Sequence, residues 1–336
     1  MAHNGIINGF HFDPEVFTDY MQEQSCINNK ILTSGILMYD PKIEEAIGGS
    51  SNIGKIPYFK SMDNEGHALN DDGKTDNIPT GLTGGKQTFM AIARMKSWYQ
   101  DVYTRYLTGK NPLENFANNL VIPYWKNEWE YNLMAITKGI MGTTGMATHK
   151  TNLAVTTGTI TDVNKVDLTT HLDLGQKALG DKRTNFSLFV CHSTVATNLK
   201  KKEAVENKKY YSSILGEIEL PTLGTMIVLE TDTNTVDTSV TGFPVYHSYM
   251  FGKGVFLTAP KQVPNPYGME FDQKTKGGVE TIYTKQAMVL HPNGFDIIVN
   301  NIVEESPTID ELSKSTNWEL KFDNKQIAIA EIISNG

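Results

Sequence analysis

Cysteine is nearly absent. Cys26 and Cys191 are the only two in 336 residues, which leaves no disulfide framework and no paired spacing for zinc, and fits a reducing compartment. The eight histidines are dispersed, with no HExxH, so neither a metal site nor a cofactor is expected. No apolar run approaches the roughly 20 residues that cross a bilayer, and MAHNGIINGF lacks the basic and apolar regions of a signal peptide. The expectation is a soluble product made in a cytoplasm, with no membrane partner. Positive charge is short as well. Thirty Lys and Arg face 38 Asp and Glu, for a net charge of −8. A protein that grips phosphate backbones is usually basic, so sequence-specific nucleic-acid binding is disfavoured, although lying beside DNA is not. Repeats, low-complexity tracts and a βαβ rhythm are missing too, which leaves an α+β chain of helices and antiparallel strands.

What the chain does have is a long apolar stripe. In NPLENFANNLVIPYWKNEWEYNLMAITKGIMG, residues Leu113, Phe116, Ala117, Leu120, Val121, Tyr124 and Trp125 recur at steps of three and four. Trp129, Leu133, Ile136 and Ile140 continue them, marking one face of an α-helix over 112–141. Asn111 suits the cap, Pro112 the first turn and Glu114 a capping box, while Gly139 and Gly142 weaken and then end the helix. If continuous it spans about 30 residues, or roughly 45 Å at 1.5 Å per residue. That length is natural for a strut. Pro123 predicts a kink, or a division into two ordinary core helices.

The second informative stretch is 48–99. GGSSNIGKIPYF reads as an outgoing strand, and KQTFMAIARMKSWYQ as the returning one, with Phe89, Ala91, Ala93 and Met95 on one side. Between them, residues 61–86 are polar and turn-rich, with Met62, Leu69, Ile78 and Leu82 as their chief apolar residues. A coreless loop of this length is unusual inside a compact domain, and a two-stranded ribbon is marginal alone, so packing against a neighbouring molecule is the economical explanation. Elsewhere, Asp13 caps a short amphipathic helix bearing Val16, Phe17, Tyr20 and Met21. The stretch from Ile31 to Tyr39 reads as strand, 151–166 as a hairpin, and 168–179 as a helix with Leu168, Leu172 and Leu179 inward. FSLFVCHS is a buried strand followed by a helix, Gly252-Lys253-Gly254 is a hairpin turn, and WELKFDNKQIAIAEIIS is a closing pair of strands.

Catalytic patterns are looked for and fail. GSSNIGK at 49–55 has the glycine and lysine spacing of a phosphate loop, but Ile56 stands where Ser or Thr would hold Mg²⁺, and Pro57 where a helix should open. His192-Ser193 has no nucleophile elbow, and His291-Pro292 reads as a strand-end turn. Asp71-Asp72-Gly73 lacks the rest of a calcium loop. Lysines 200–202 and 208–209 read as a solvated face, and the sequon at Asn185 is idle in a cytoplasmic product. No catalytic residue is assigned, so the chain is not read as an enzyme.

The order of the pieces resembles the major capsid proteins of tailed bacteriophages with the Hong Kong 97-type fold, in the branch common among phages of Gram-positive hosts. The likeness runs through DPEVFTDYMQEQS, the ribbon, NPLENFANNLVIPYWKNEWEYNLMAITKGI, FVCHSTVATNLKK, PTLGTMIVLETD, YMFGKGVFLTAP, TIYTKQAMVLHPNGF and NWELKFDNKQIAIAEIISNG. It implies an N-terminal arm and lead-in (1–47), an extended E-loop (48–99), a peripheral or P domain (100–185) with the spine helix, an axial or A domain (186–290), and return strands (291–336). It further implies a virion shell of self-associating hexamers and pentamers around double-stranded DNA, which is not specifically bound. Partners implied are a portal, a decoration protein and, since only about 50 residues precede the E-loop, a separate scaffolding protein. Met62, Leu69, Ile78 and Leu82 become intersubunit contacts and Pro123 a pivot of the spine helix. Some relatives cross-link through Lys and Asn; Lys60 and Lys74 are candidates, but nothing selects them. Encapsulin compartments share the fold and form the alternative; an enzyme and a tail or adaptor protein fit less well.

Overall fold

The apolar stripe running on from Trp125 lies at the centre of the main core. The structure, a computed structural model, describes residues 5–7, 10–12, 31–32, 34–48, 51–62, 67–72, 74, 76, 79, 81–103, 121–167, 169–202, 206–212, 216–232 and 235–336, with backbone alone for 5–12 and 206–220. The helices are α1 (Pro41–Ile47), α2 (Val121–Met141), α3 (Thr170–Leu179), α4 (Ser193–Lys201) and α5 (Ile309–Ser313). The first strands are β1 (Gly5–Ile7), β2 (Phe10–Phe12), β3 (Leu37–Tyr39), β4 (Ile53–Phe59), β5 (Gly84–Met90), β6 (Ile92–Asp101) and β7 (Lys150–Asn152). Next come β8 (Phe186–Cys191), β9 (Glu206–Ser212), β10 (Gly216–Leu223), β11 (Met226–Glu230), β12 (Val236–Asp237) and β13 (Val245–Gly252). The chain closes with β14 (Phe256–Lys261), β15 (Tyr267–Asp272), β16 (Val279–Pro292), β17 (Phe295–Ile297), β18 (Trp318–Leu320) and β19 (Ile329–Ser334). The predicted N-terminal helix and Leu113 to Leu120 fall outside the described residues.

Two sheets sandwich the chain's chemistry into separate cores. The larger has the order β7-β19-β13-β8-β11-β10-β9, with β12 on β13. Because strand side chains alternate, Leu188, Val190, Tyr249, Phe251 and Ile329 join the core around α2. Their neighbours Phe189, Met250, Ala330 and Ile332 join the one under α3 and α4. In the second sheet the 14-residue β16 is the common partner, pairing with β15 over Val279–Thr284, with β6 over Val279–Met288 and with β14 over Ala287–Pro292. A third, small core sets Ile43 and Ile47 of α1 against Phe89, Leu257 and Val289. Asp40 caps α1 by accepting from Lys42 N, and Pro41 occupies its first turn.

Several local readings are corrected by long-range pairing. Between Ile31 and Tyr39 only Leu37–Tyr39 is strand, after a turn at Ile31 to Gly35. The returning strand divides at Ala91: β5 pairs with β4, while β6 leaves for a ten-residue ladder on β16. Ala93 and Met95 are consequently exposed, although Phe89 and Ala91 are buried. Residues 151–166 form no hairpin, since β7 is a parallel strand on β19. In α3, Leu174 and Ala178 face inward with Leu179, and Leu172 is exposed; Leu168 is outside the described residues. The glycine turn after β13 is not a hairpin but a transfer between sheets, with Gly254 at φ +61. The closing strands do not pair with each other; β18 lies on β17, and β19 between β13 and β7. Local periodicity carries no information about such partners.

Candidate assembly surfaces

The ribbon β4–β5 is registered by two cross-strand pairs of glycine with an aromatic ring, Gly54 opposite Phe89 and Gly85 opposite Tyr58. A Cβ on Gly54 would lie 2.2 Å from the Phe89 ring, and one on Gly85 2.6 Å from Tyr58. Each ring therefore covers the bare face of the glycine opposite, a device that fixes register where a strand lacks side chains. Tyr58 also packs edge-on against Phe322 at 4.9 Å and donates to the Lys321 carbonyl at 3.3 Å. On the other strand Gln87 Oε1 accepts from Gly294 N at 3.0 Å and pairs with His291 Nε2 at 3.1 Å. Thr88 N donates to Asp296. The root of the arm is thus tied to the body on both strands.

Past the Lys60 N to Thr83 O bond at 2.9 Å, the described apolar side chains of the tip are exposed. Met62, Leu69 and Leu82 are 53%, 60% and 66% exposed, and Ile78 is outside the described residues. Lys60, Lys74, Asp71 and Asp72 share this exposed stretch. The phosphate-loop spacing resolves into strand: Ile53, Gly54 and Lys55 belong to β4, and no helix N-terminus follows them.

The spine helix is the opposite. From Val121 on, Trp125, Trp129, Leu133, Ile136 and Ile140 are all buried, as the stripe predicts. Both indole N–H groups find partners across the interface, Trp125 Nε1 donating to Thr284 Oγ1 at 3.2 Å and Trp129 Nε1 to Gln286 Oε1 at 2.8 Å. Arg94 donates to Asn132 Oδ1 at 2.6 Å and to the Pro307 carbonyl at 2.8 Å. Gly139 is a point of close approach rather than a weak spot. A Cβ there would stand 2.2 Å from the Leu312 carbonyl and 2.7 Å from Trp318 Nε1. Pro123 occupies the first turn of the described helix, and 104–120 lie outside the described residues.

Two buried glutamates, missed in the sequence, flank this core. Glu130 on α2 has no exposure, and one carboxyl oxygen accepts from the Thr231 hydroxyl at 3.0 Å. Burial raises its pKa, against that hydrogen bond. Glu331 on β19 meets His247 Nδ1 at 2.8 Å and Lys150 Nζ at 3.1 Å. Burial opposes its charge too, but His247 and Lys150 overcome it and hold the carboxyl below the ordinary value. No local signal distinguishes either residue, because the partners are 84 to 181 positions away or on another element.

The side chains tested for chemistry have structural work. His192 caps α4, its Nδ1 accepting from Thr194 N at 3.1 Å, which leaves that nitrogen committed to the backbone rather than to the Ser193 hydroxyl at 3.4 Å. It follows β8 rather than lying on it. His291 is not a turn residue but a buried strand residue whose pKa burial pushes down to about 3. Burial pushes the Cys191 thiol up to about 12, which makes it inert as a nucleophile at neutral pH. Among the described residues no group of His, Cys, Asp and Glu could hold a metal ion, and no helix is long and apolar enough to cross a membrane.

Comparison with known structures gives the class of fold. The capsid of Ralstonia phage GP4 superposes with a TM-score of 0.56 at 10% identity, covering 96% of both chains. The holo-SrpI encapsulin complex of Synechococcus elongatus PCC 7942 gives 0.54 at 9%, covering 95% of this chain and 91% of that one. The chain has the Hong Kong 97-type fold. In sequence the chain is similar to the major capsid protein of Bacillus phage SPP1, 26% identical over 321 residues, covering 95% of this chain and 94% of that protein. No family model matches.

Proposed function

We infer that this chain is the major capsid protein of a tailed phage, self-assembling into the icosahedral shell that encloses the double-stranded DNA. The observation that carries it is end-to-end sequence likeness to a phage major capsid protein on a Hong Kong 97-type fold. The fold alone does not separate capsids from encapsulins, since both superpose comparably; the sequence likeness, which is to a phage protein, favours the capsid. The subunit acts as a building block and not as an enzyme. Its copies meet as hexamers and pentamers, and it is made in the host cytoplasm and ends in the virion.

In this reading residues 100–185, with α2, form the P domain, residues 186–290 the A domain, and residues 48–99, with the β4–β5 arm, the E-loop. Met62, Leu69, Ile78 and Leu82 are the arm's contacts with the next subunit, where exposed apolar side chains and ribbon edges find partners. Pro123 is the pivot of the spine helix. A separate scaffolding protein, a portal and a decoration protein complete the particle. The net charge of −8 fits DNA that is enclosed and not gripped by each subunit. Negative-stain microscopy and sedimentation of the purified protein, with its scaffold, test this: closed shells are expected, and monomers or small dimers under every assembly condition would rule it out. Particles filled with enzyme rather than DNA in infected cells would favour the encapsulin reading.

A further inference from the structure

An edge strand in an antiparallel sheet directs the N–H and C=O groups of alternate residues inward and outward. In β15 the bond from Lys285 N to the Pro266 carbonyl, at 2.8 Å, makes residues 266 and 285 a hydrogen-bonded pair. The register with β16 continues it, from Tyr267 opposite Thr284 to Asp272 opposite Val279. Gly268, Glu270 and Asp272 therefore bond to β16, and Tyr267, Met269 and Phe271 turn their backbone groups outward. Among the described residues β15 pairs with no strand but β16. The side chains of the same three residues are 53%, 60% and 54% exposed. Two neighbouring edges are guarded. In β4 the bonds Lys60 N to Thr83 O and Ala91 N to Asn52 O leave Lys55, Pro57 and Phe59 outward, and Pro57 has no N–H for a further strand. In β6, Ser306 holds both Ala93 N and the Ala93 carbonyl, and Arg94 and Lys96 follow. No Pro, Lys or Arg lies within β15. Its acids are turned back on their own subunit, Glu270 accepting from the Tyr283 hydroxyl at 2.8 Å and Asp272 from Lys274 N at 2.9 Å.

We propose that β15 pairs antiparallel with β15 of a second copy, about a two-fold axis through Met269. The strand is complementary to itself in that register. Met269 lies opposite Met269, Tyr267 opposite Phe271, Gly268 opposite Glu270 and Pro266 opposite Asp272. Every outward N–H and C=O of Tyr267, Met269 and Phe271 then falls in a hydrogen-bonded pair, and the two aromatic rings meet across the strands. Each carboxylate faces an uncharged residue. Centring the pair on Glu270 instead would set that carboxylate against its own copy, which is destabilising. The contact is isologous, so it closes on two subunits and leaves no edge to propagate. A single strand pair covers far less than the roughly 1,200 Å² of a stable complex, so it is weak alone and gains strength where other contacts already hold two copies together. It does not rest on the shell reading and is testable without shells.

Disulfide trapping in the full-length, unassembled subunit tests it, with Cys26→Ser throughout and oxidised glutathione as the oxidant. Opposite residues of a hydrogen-bonded antiparallel pair have Cα atoms about 5.5 Å apart, within disulfide range. Met269→Cys should form covalent dimer at least about tenfold faster than Val303→Cys, whose position is 88% exposed and reports chance collision. Mixed Gly268→Cys and Glu270→Cys subunits should couple to each other faster than either couples to itself; a Cβ at Gly268 meets nothing within 4 Å. Tyr267→Lys/Phe271→Lys sets like charges opposite each other and should reduce the Met269→Cys rate to that of Val303→Cys. Tyr267→Lys/Phe271→Glu sets opposite charges there and should restore it. The replaced side chains are exposed, so unchanged melting curves serve as the folding control. Dimer formed at the collision rate overturns the proposal, as does a rate indifferent to the lysine pair or a mixture without preference. Faster coupling of Met269→Cys to Ser97→Cys than to itself would assign the edge to β6 of a second copy. Coupling lost when residues 61–82 are replaced by Asn-Gly would assign it to the arm; either result also overturns it.

Discussion

The β-ribbon arm and the spine helix are the two longest projections read from the sequence, and they spend their apolar surface in opposite places. Helix α2 buries Trp129, Leu133, Ile136 and Ile140 almost completely within its own subunit. The arm buries only its root, where Phe89 and Tyr58 lie over glycines, and leaves Met62, Leu69 and Leu82 in solvent. At about 25 cal/mol per Å² of apolar area removed from water, the helix contributes heavily to folding and the exposed tip of the arm almost nothing. Folding free energy therefore resides in α2 and not in the exposed tip of the arm, whose apolar surface stays free for the proposed contacts between subunits.

The sharpest way to break this comparison is to delete the arm tip. Residues 61–82 replaced by Asn-Gly would close the ribbon between Lys60 and Thr83, which already bond at 2.9 Å, with a two-residue hairpin turn. The root pairs Tyr58–Gly85 and Phe59–Gly84 stay intact. Shell formation, followed by sedimentation, should be abolished while the subunit's melting temperature stays within a few degrees. A molten or insoluble variant would show that the tip belongs to the core, and normal shells that it is no clasp.

The converse holds for α2. Trp129→Ala removes a buried indole and its bond to Gln286, and should destabilise the subunit by about 3–5 kcal/mol. Gly139→Ala places a methyl against the Leu312 carbonyl, which is backbone and cannot rotate away, so a smaller loss of about 1–3 kcal/mol is expected. Both are read from urea unfolding. Subunits that keep wild-type stability but fail to assemble would move α2 to the assembly side of the ledger.

Glu130 and Glu331, both buried, respond to pH in opposite directions. Glu331 has a folded pKa below its unfolded one, so its contribution is fully present above the ordinary carboxylate value and is lost as pH falls through the depressed folded value. Glu130 has a raised pKa, so the folded state favours its protonated form, and stability from this group is lost as pH rises from the ordinary value through the folded one. Glu331→Gln should lower the melting temperature at pH 7 and blunt the loss on acidification. Glu130→Gln should be neutral or slightly stabilising at pH 8, by less than about 1 kcal/mol. Equal responses of the two variants across pH 4 to 8 would contradict the assignment.

What could be read without coordinates was whatever is written in local periodicity. The stripe from Trp125 to Ile140 repeats at 3.6, and the tip of the arm lacks a repeat altogether. Partner choice was not legible. The run from Lys86 to Gln100 looks like one strand, yet β5 and β6 serve different sheets because β16 offers a longer ladder than β4. Gly54 read as an ordinary strand position, Gly85 as a loop residue, and Gly139 as a helix breaker. Each is a contact whose other half lies 27 to 173 positions away, on Phe89, Tyr58 or Leu312. The resemblance to capsid proteins rested on the order of motifs, which survives even where individual pairings were misread.

Pro123 carries the smallest expected effect on the subunit and bears on what the strut does after assembly. In the described helix it sits in the first turn, which begins at Val121. Proline is tolerated in a first turn because the N–H it lacks has no intrahelical partner there. If the helix extends back over 112–120, as the stripe predicts, the same residue lies inside it and removes one ladder bond, lowering the cost of bending. The two cases separate on one substitution. Pro123→Ala should leave the subunit's unfolding free energy within about 1 kcal/mol if it occupies a true first turn, and raise it by about 1 kcal/mol or more if a missing ladder bond is restored. The resemblance to capsid proteins implies a spine helix that is bent in the precursor shell and straighter after expansion. A restored bond would favour the straight helix, so Pro123→Ala shells should expand faster, as followed by light scattering. Unchanged expansion kinetics and an unchanged helix curvature would remove Pro123 as the pivot and leave the bend to Gly139 or to strain imposed by neighbouring subunits.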